Sequence, residues 1–198
     1  MQIYLHLVRH AEGEHNLSRQ NLQIQDPRLT PTGEMQCATL RQKFPHHNEM
    51  TLLVSSPMRR ALQTCLLTFA PAVAAGTVVT ALQDLQEVPT LPCDTGTSTD
   101  ILEQEPAFAD GKVDFTRVDD GWNDKSETSP WLPDVERLHA RAAAARRWLR
   151  DSAMEAANST DKDIHIGVVT HGAMLHYLTQ DWTDIESGCM SQVQDMWA

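Results

Sequence analysis

No run of about 18 apolar residues occurs in this chain of 198, so nothing in it reads as a membrane span. The apolar start, Gln2 to Val8, is short and has neither a basic leader region nor a small-residue cleavage site. It reads as a first strand rather than a signal peptide, and a cytoplasmic location is expected. Basic charge is scarce: 16 Lys and Arg stand against 27 Asp and Glu, for a net charge of -11. Nucleic-acid binding needs a basic surface, so that class of partner is excluded. An anionic ligand would have to meet positive charge concentrated at one place. Aromatics are few, at 6%, which leaves the core to aliphatic side chains and alanine. Closely spaced cysteines are also lacking. Cys37, Cys65, Cys93 and Cys189 are far apart with no CxxC pair, which favours buried reduced thiols over disulfides.

What is there suffices for one globular domain spanning 1–198, since 41% of the residues are hydrophobic. Gln2 to Val8 forms a buried strand, and Glu12 to Arg28 is polar and irregular. Thr30-Pro31 marks a helix start, Thr as N-cap and Pro at the first helical position, with the helix running to about Phe44 before Pro45. Thr51 to Ser55 is a second strand. Ser56-Pro57 repeats the N-cap and proline signal and opens a helix carrying Ala61, Leu62, Cys65, Leu66 and Phe69, which Pro71 stops. Thr77 to Leu82 is a third strand.

From Glu87 to Pro133 the chain turns rich in Asp, Glu, Pro, Gly, Ser and Thr, with apolar islands at Phe108, Val113, Phe115 and Trp122. A stretch of that length without a period is expected to be an ordered insertion or lid near the active site, pinned by its islands. Val135, Leu138, Ala142, Ala145 and Leu149 recur at helical spacing, so Pro133 to Ala157 is a long amphipathic helix whose Arg141, Arg146, Arg147 and Arg150 form a solvated face. Ile164 to Val169 is a fourth strand, with His165 as a structural residue, and Gly172 to Gln180 is the final helix. Alternating strands and helices imply an α/β protein, a three-layer α/β/α sandwich around a mainly parallel sheet. In such sheets the ligand sits beyond the carboxyl ends of the strands.

Four of those ends carry reactive side chains. His10 follows the first strand beside Arg9. Arg59 and Arg60 lie on the first turn of the helix after the second, where a guanidinium can grip a phosphate in bidentate fashion beside helix N-terminal donors. Asp84 and Glu87 follow the third strand, and His171 follows the fourth. Each alone is weak; one at the end of each of four strands is specific.

With these residues in place, the chain resembles branch 1 of the histidine phosphatase superfamily, the phosphoglycerate-mutase-like enzymes. The Arg-His-Gly signature stands as Leu7-Val8-Arg9-His10-Ala11-Glu12, with alanine where glycine is commoner, followed by Asn16. The Leu-Thr-x-x-Gly segment stands as Leu29-Thr30-Pro31-Thr32-Gly33. Ser56-Pro57-Met58-Arg59-Arg60-Ala61 matches the Ser-Pro-x-x-Arg-Ala helix start, which aligns Arg60 with the pocket arginine. Glu87 in Leu85-Gln86-Glu87 matches the acidic residue, and His171 in Val169-Thr170-His171-Gly172 the second histidine. The long insertion, with Pro92-Cys93-Asp94-Thr95-Gly96, looks like fungal and yeast members. After Trp182 the chain shows no counterpart of the family's closing strand.

The resemblance implies a phosphatase acting on a small phosphomonoester. His10 would attack phosphorus to give a phosphohistidine. Arg9, Asn16, Arg60 and His171 would hold the phosphoryl oxygens, and Glu87, or alternatively Asp94, would protonate the leaving oxygen and then activate water. Arg9 and Arg60 should favour the uncharged form of His10. The scheme calls for no cofactor and no metal. A mutase using the same His10, and a non-catalytic phospholigand-binding protein, are the alternatives. His6, His15, His46 and His47 add imidazoles, but none shows zinc-type spacing, and His46-His47 reads as a surface pair.

Overall fold

A computed structural model describes residues 1–182, and the end of the chain, including Cys189 and the expected site of a closing strand, lies outside the described residues. The strands are β1 (Ile3–Arg9), β2 (Met50–Ser55), β3 (Val79–Ala81), β4 (Val113–Asp114) and β5 (Ile164–Thr170). The helices are α1 (Pro31–Lys43), α2 (Arg59–Thr68), α3 (Ala70–Ala74), α4 (Thr99–Leu102), α5 (Val135–Ala157) and α6 (Gly172–Thr179). All strand pairs are parallel, in the order β1-β5-β2-β3-β4. The fifth strand, β4, comes from within the insertion, where the sequence shows only the island at Val113.

Period-two alternation divides the sheet's side chains between two cores. Leu5 and Leu7 of β1, Val54 of β2 and Ile164, Ile166 and Val168 of β5 meet Ala145, Leu149 and Ala153 of α5 and Leu178 of α6. Val8, Leu53, Val79, Ala81 and Val169 point the other way, onto Ala61, Leu62 and Cys65 of α2, Phe69, and Phe108 and Phe115 of the insertion. With helices packed on both faces, the architecture is the three-layer α/β/α sandwich.

The Leu29–Gly33 segment has a local physical reason. Thr30 caps α1, its hydroxyl accepting the Gly33 N–H at 3.0 Å. The Thr30 hydroxyl also donates to Glu12 Oε1 at 2.6 Å, and its N–H donates to the Glu12 carbonyl at 3.0 Å. A Cβ on residue 33 would collide with that carbonyl oxygen, so only glycine lets α1 lie this close to the loop after β1.

Two helix boundaries differ from expectation. Helix α2 begins at Arg59 with Met58 as N-cap, so Ser56-Pro57 precedes the helix rather than capping it. Ser56 instead continues the sheet, its N–H donating to the Val169 carbonyl at 2.9 Å. Pro71 does not end the helical path but sits in the first turn of α3, where its missing N–H costs nothing. The insertion is built from a 3-10 turn at Pro92–Asp94, α4, β4 and linking turns, with Phe108, Phe115 and Trp122 buried. Asp26, itself buried, fastens it to α2: its carboxylate accepts the Arg59 and Thr97 N–H groups, each at 3.0 Å.

Arg141 departs from the solvated face. It is buried, and one of its Nη2 protons goes to the Gln86 carbonyl at 2.9 Å. Position 141 lies three residues after Leu138 and four before Ala145, on the apolar stripe, so the helical spacing itself marks it as inward. Arg146 donates to the Tyr177 carbonyl, whereas Arg147 and Arg150 are exposed. Cys37, Cys65 and Cys93 are buried. Burial raises the Cys65 thiol pKa, with neighbouring Cys37 adding, and pushes the Cys93 thiol up to about 11, with the Asp94 charge adding.

Candidate active site

The parallel register delivers the carboxyl ends of β1, β2, β3 and β5 to one edge, and backbone bonds extend the ladder past each strand. His10 N–H donates to the Thr170 carbonyl at 2.9 Å, and Leu82 N–H to the Ser55 carbonyl at 2.8 Å. His10 and His171 are thereby adjacent, their ring centroids 5.1 Å apart. His15, on a 3-10 turn after β1, brings a third imidazole to 5.4 Å from His10.

His10 Nδ1 lies 2.8 Å from the Ala11 carbonyl. A carbonyl only accepts, so Nδ1 carries the ring proton and Nε2 is left with its lone pair. Ala11 is held in turn by its N–H donating to Thr64 Oγ1 at 3.0 Å, and that hydroxyl donates to the Arg60 carbonyl at 2.7 Å. Burial, then the positive charge of Arg60, drives the His10 pKa well below its ordinary 6.5, with His15 and Arg9 adding smaller pushes. His171 is fully buried and shifted down by burial, Arg60 and His10 in that order; its Nε2 shares a 2.8 Å hydrogen bond with Ser56 Oγ. Burial, aided by Arg60 and Arg9, lowers His15 to about 4. At neutral pH all three rings are uncharged.

Arg60 is fully buried. Its Nη1 donates to the Cys93 carbonyl at 2.6 Å and its Nη2 to Asp94 Oδ1 at 3.2 Å. Arg59 faces the other way, onto Asp26 and Glu105, and fastens the insertion. Four buried nitrogens around His10 — Arg9 Nε, Arg60 Nε, His15 Nδ1 and His171 Nδ1 — have no hydrogen-bond partner among the described residues. The two guanidinium nitrogens are obligate donors, and an imidazole Nδ1 donates when its tautomer carries the proton there; a buried donor left unsatisfied costs about 1–3 kcal/mol, so their clustering makes a site prepared for an anion.

Glu87 lies on the rim, its Oε1 accepting the Val88 N–H at 2.9 Å. Burial raises its pKa above 4.5 and Asp94 adds to the rise, against the pull of that N–H, Arg60 and Lys125. Asp94 is also raised by burial, opposed first by Arg60. Lys125 ties this loop together, its ammonium donating to the carbonyls of Glu87 and Pro89, each at 2.8 Å, and of Asp94 at 2.6 Å. Burial, with Arg141 adding, lowers Lys125 to about 7. Burial also lowers Arg141 to about 10, held up by Glu87 and Asp84.

Of the residues singled out in the sequence, His10, His171, Arg9, Arg60 and Glu87 meet at this edge. Asn16 is exposed and closes the loop, its Oδ1 accepting the Gly13 N–H at 2.9 Å. Ser56, Thr64, Lys125 and Arg141 support the site, and His15 borders it, without having been marked for it. Ser56 belongs to a Ser-Pro pair whose local signal is that of a helix cap. Lys125 is one of three basic residues in the acidic insertion, with Lys112 and Arg117, and no pattern sets it apart.

The histidine phosphatase superfamily (branch 1) model matches residues 5–194. The chain is 27% identical over 205 residues to phosphoglycerate mutase-like protein 1 of Arabidopsis thaliana, covering 87% of this chain and 69% of that protein. Among solved structures it resembles the ecdysone phosphate phosphatase of Bombix mori in complex with tungstate, at a TM-score of 0.62 and 14% identity over 90% of this chain and 76% of that one. It also resembles a mycobacterial glucosyl-3-phosphoglycerate phosphatase in complex with VO3, at a TM-score of 0.53 and 21% identity over 88% and 79%.

Proposed function

Because the chain belongs to branch 1 of the histidine phosphatase superfamily, we propose that it hydrolyses a small phosphomonoester through a phosphohistidine at His10. The observation that carries this reading is the neutral His10 ring, proton on Nδ1 and lone pair on Nε2, set among the unpartnered nitrogens of Arg9, Arg60 and His171. These groups suit the three outer oxygens of a phosphoryl group. They would stabilise the charge that spreads over those oxygens in the transition state.

In the first step Nε2 forms a bond to phosphorus in line with the ester oxygen. The P–O bond to the substrate breaks, and Glu87 gives its proton to the departing oxygen. In the second step the Glu87 carboxylate takes a proton from water. The oxygen of that water bonds to phosphorus, the N–P bond breaks, and inorganic phosphate leaves. Glu87 suits the acid role because its raised pKa keeps the proton available. Asp94 is committed to Arg60 in an ion pair with an N–O distance of 3.2 Å, which favours Glu87 over it. The loop of the insertion that Lys125 stitches would wall the pocket, and its acidic side chains disfavour highly charged polyphosphates.

The test is incubation with a panel of phosphorylated metabolites, alkaline quenching and intact-mass measurement. Release of inorganic phosphate and a phosphoryl adduct mapped to His10 are expected, both absent in His10→Ala. Isomerisation of a phosphorylated substrate without phosphate release would replace hydrolysis by mutase chemistry. Phosphate release by His10→Ala at the wild-type rate would overturn the nucleophile.

A further inference from the structure

A second group of imidazoles lies at the opposite edge of the sheet. His165, buried at the start of β5, points Nε2 toward Glu49 Oε2 at 3.4 Å. The other carboxylate oxygen of Glu49 lies 3.3 Å from His46 Nδ1. These three side chains place one ligand atom each within 4.8 Å of one another. From His165 to His171 the strand runs six residues at about 3.3 Å each, so roughly 20 Å separates this cluster from the catalytic edge.

We propose that His46, Glu49 and His165 form a binding site for a divalent cation of borderline softness, such as zinc, that clamps the 44–50 loop to the amino end of the sheet. Two imidazoles and one carboxylate are a donor set such ions favour, and a tetrahedral ion with ligands about 2.0–2.1 Å away spaces them roughly 3.4 Å apart. Each imidazole already sits at that spacing from one oxygen of the Glu49 carboxylate, His46 from Oε1 and His165 from Oε2. Water would fill the remaining position.

The supports of the ligands point the same way. His165 Nδ1 lies 2.9 Å from His6 Nε2, so a His165 that binds metal through Nε2 carries its proton on Nδ1 and donates it to His6. A ligand imidazole with its second nitrogen so held is fixed in ring orientation and tautomer. His46 and Glu49 belong to a single turn, closed by the Glu49 N–H donating to the His46 carbonyl at 3.0 Å. That turn is anchored by His47 Nε2–H donating to the Arg41 carbonyl at 2.8 Å and by the Phe44 ring against His6, with centroids 4.9 Å apart. His46-His47 is therefore not merely a surface pair. The third ligand, His165, lies more than a hundred residues from His46 and Glu49, which is why no zinc-type spacing appears in the sequence.

The test is titration of the chelator-treated full chain with zinc by calorimetry and with cobalt by ligand-field absorption. One equivalent is expected to bind in the micromolar range or tighter, raising Tm. His46→Ala and Glu49→Gln, both at side chains with ample exposure (37% and 56%), should fold normally and keep wild-type phosphomonoester turnover. Each is expected to weaken binding by about 10–100-fold and to abolish the rise in Tm. Absence of zinc binding to the wild type at 100-fold molar excess, or undiminished affinity in both variants, overturns the proposal. Either readout is independent of whether His10 is the nucleophile.

Discussion

Strands β1 and β5 lie side by side, and each carries imidazoles toward both ends. Toward the amino end, His6 and His165 share a hydrogen bond, stack with centroids 5.2 Å apart, and lean on Glu49 and His46. At the carboxyl end, His10 and His171 are as close, at 5.1 Å, yet the two rings are not bonded to each other. Each is held through one nitrogen by Ala11 or Ser56, and the second nitrogen is left over. Burial lowers the pKa at both ends, taking His6 to about 4 and His10 well below 6.5. A depressed pKa therefore does not tell structure from chemistry here. The partners do: His6 and His165 spend a ring nitrogen on each other, whereas His10 and His171 are held by a backbone carbonyl and a hydroxyl and stay unbonded to each other beside the unpartnered nitrogens of Arg9 and Arg60.

The largest expected break of this comparison is at the carboxyl end. His10→Ala should lower kcat on a phosphomonoester by roughly 10³-fold or more, because it removes the group that makes the covalent bond. The variant should retain a cooperative thermal transition. A loss below about ten-fold would mean that the lone pair on Nε2 is not what attacks.

Next in size is the rim. Glu87→Gln should lower kcat/KM by roughly 10²–10⁴-fold on alkyl phosphates, and much less on aryl phosphates whose leaving group needs no proton. The pH profile carries the same test. Activity needs His10 neutral, and its depressed pKa places the acid limb below 6.5. It also needs Glu87 protonated, and its raised pKa places the basic limb above 4.5. The basic limb should vanish in Glu87→Gln and persist in Asp94→Asn; the reverse would transfer the acid role to Asp94.

At the amino end the same substitution should read out differently. His6→Ala is expected to cost about 1–3 kcal/mol of stability, measured by denaturant unfolding, through the lost contact to His165 and the space left against Phe44. Turnover should stay within about two-fold, since His6 lies four residues, about 13 Å, from His10 along β1. The His6 pKa is depressed in the folded state, so the unfolded chain binds more protons as pH falls below 6.5 toward about 4. Its share of the stability is therefore full above 6.5 and declines across that window, and the wild type should lose stability there more steeply than His6→Ala. A drop in kcat as large as that of His10→Ala would erase the distinction between the ends.

The two ends also differ in how far they could be read before folding. At the carboxyl edge, each residue follows a strand that its own apolar run announces, so topology places His10, His171, the Arg59–Arg60 pair and the Asp84–Glu87 segment there, and the family resemblance singles out Arg60 and Glu87. The three layers and most strand limits follow from the same alternation. The strand β4 stayed hidden because two residues within an acidic stretch show no period. Ser56 looks like a cap in the sequence because the Ser-Pro signal is local, whereas its partner His171 is 115 residues away. The charge of Arg141 points to solvent, whereas the stripe it occupies points inward, and the stripe wins. The His46, Glu49 and His165 cluster was invisible for the same reason as Ser56. His46 and Glu49 share one turn, but His165 is more than a hundred residues away, and register alone brings Met50 beside it.

The smallest expected effect tests how far the catalytic edge depends on what lies behind it. Thr30 caps α1 and its hydroxyl also holds Glu12, two residues after His10. Thr30→Ala removes both bonds and should cost about 0.5–2 kcal/mol, the usual range for a lost N-cap. His10 itself is fixed by the Thr170 and Ala11 carbonyls rather than by Glu12. The substitution should therefore leave kcat/KM on any turned-over phosphomonoester within about three-fold, an effect near 0.6 kcal/mol. A loss beyond ten-fold with an unchanged unfolding midpoint would mean that the Glu12–Thr30 contact aligns the His10 loop. The boundary of the active site would then extend from the strand ends into the first turn of α1.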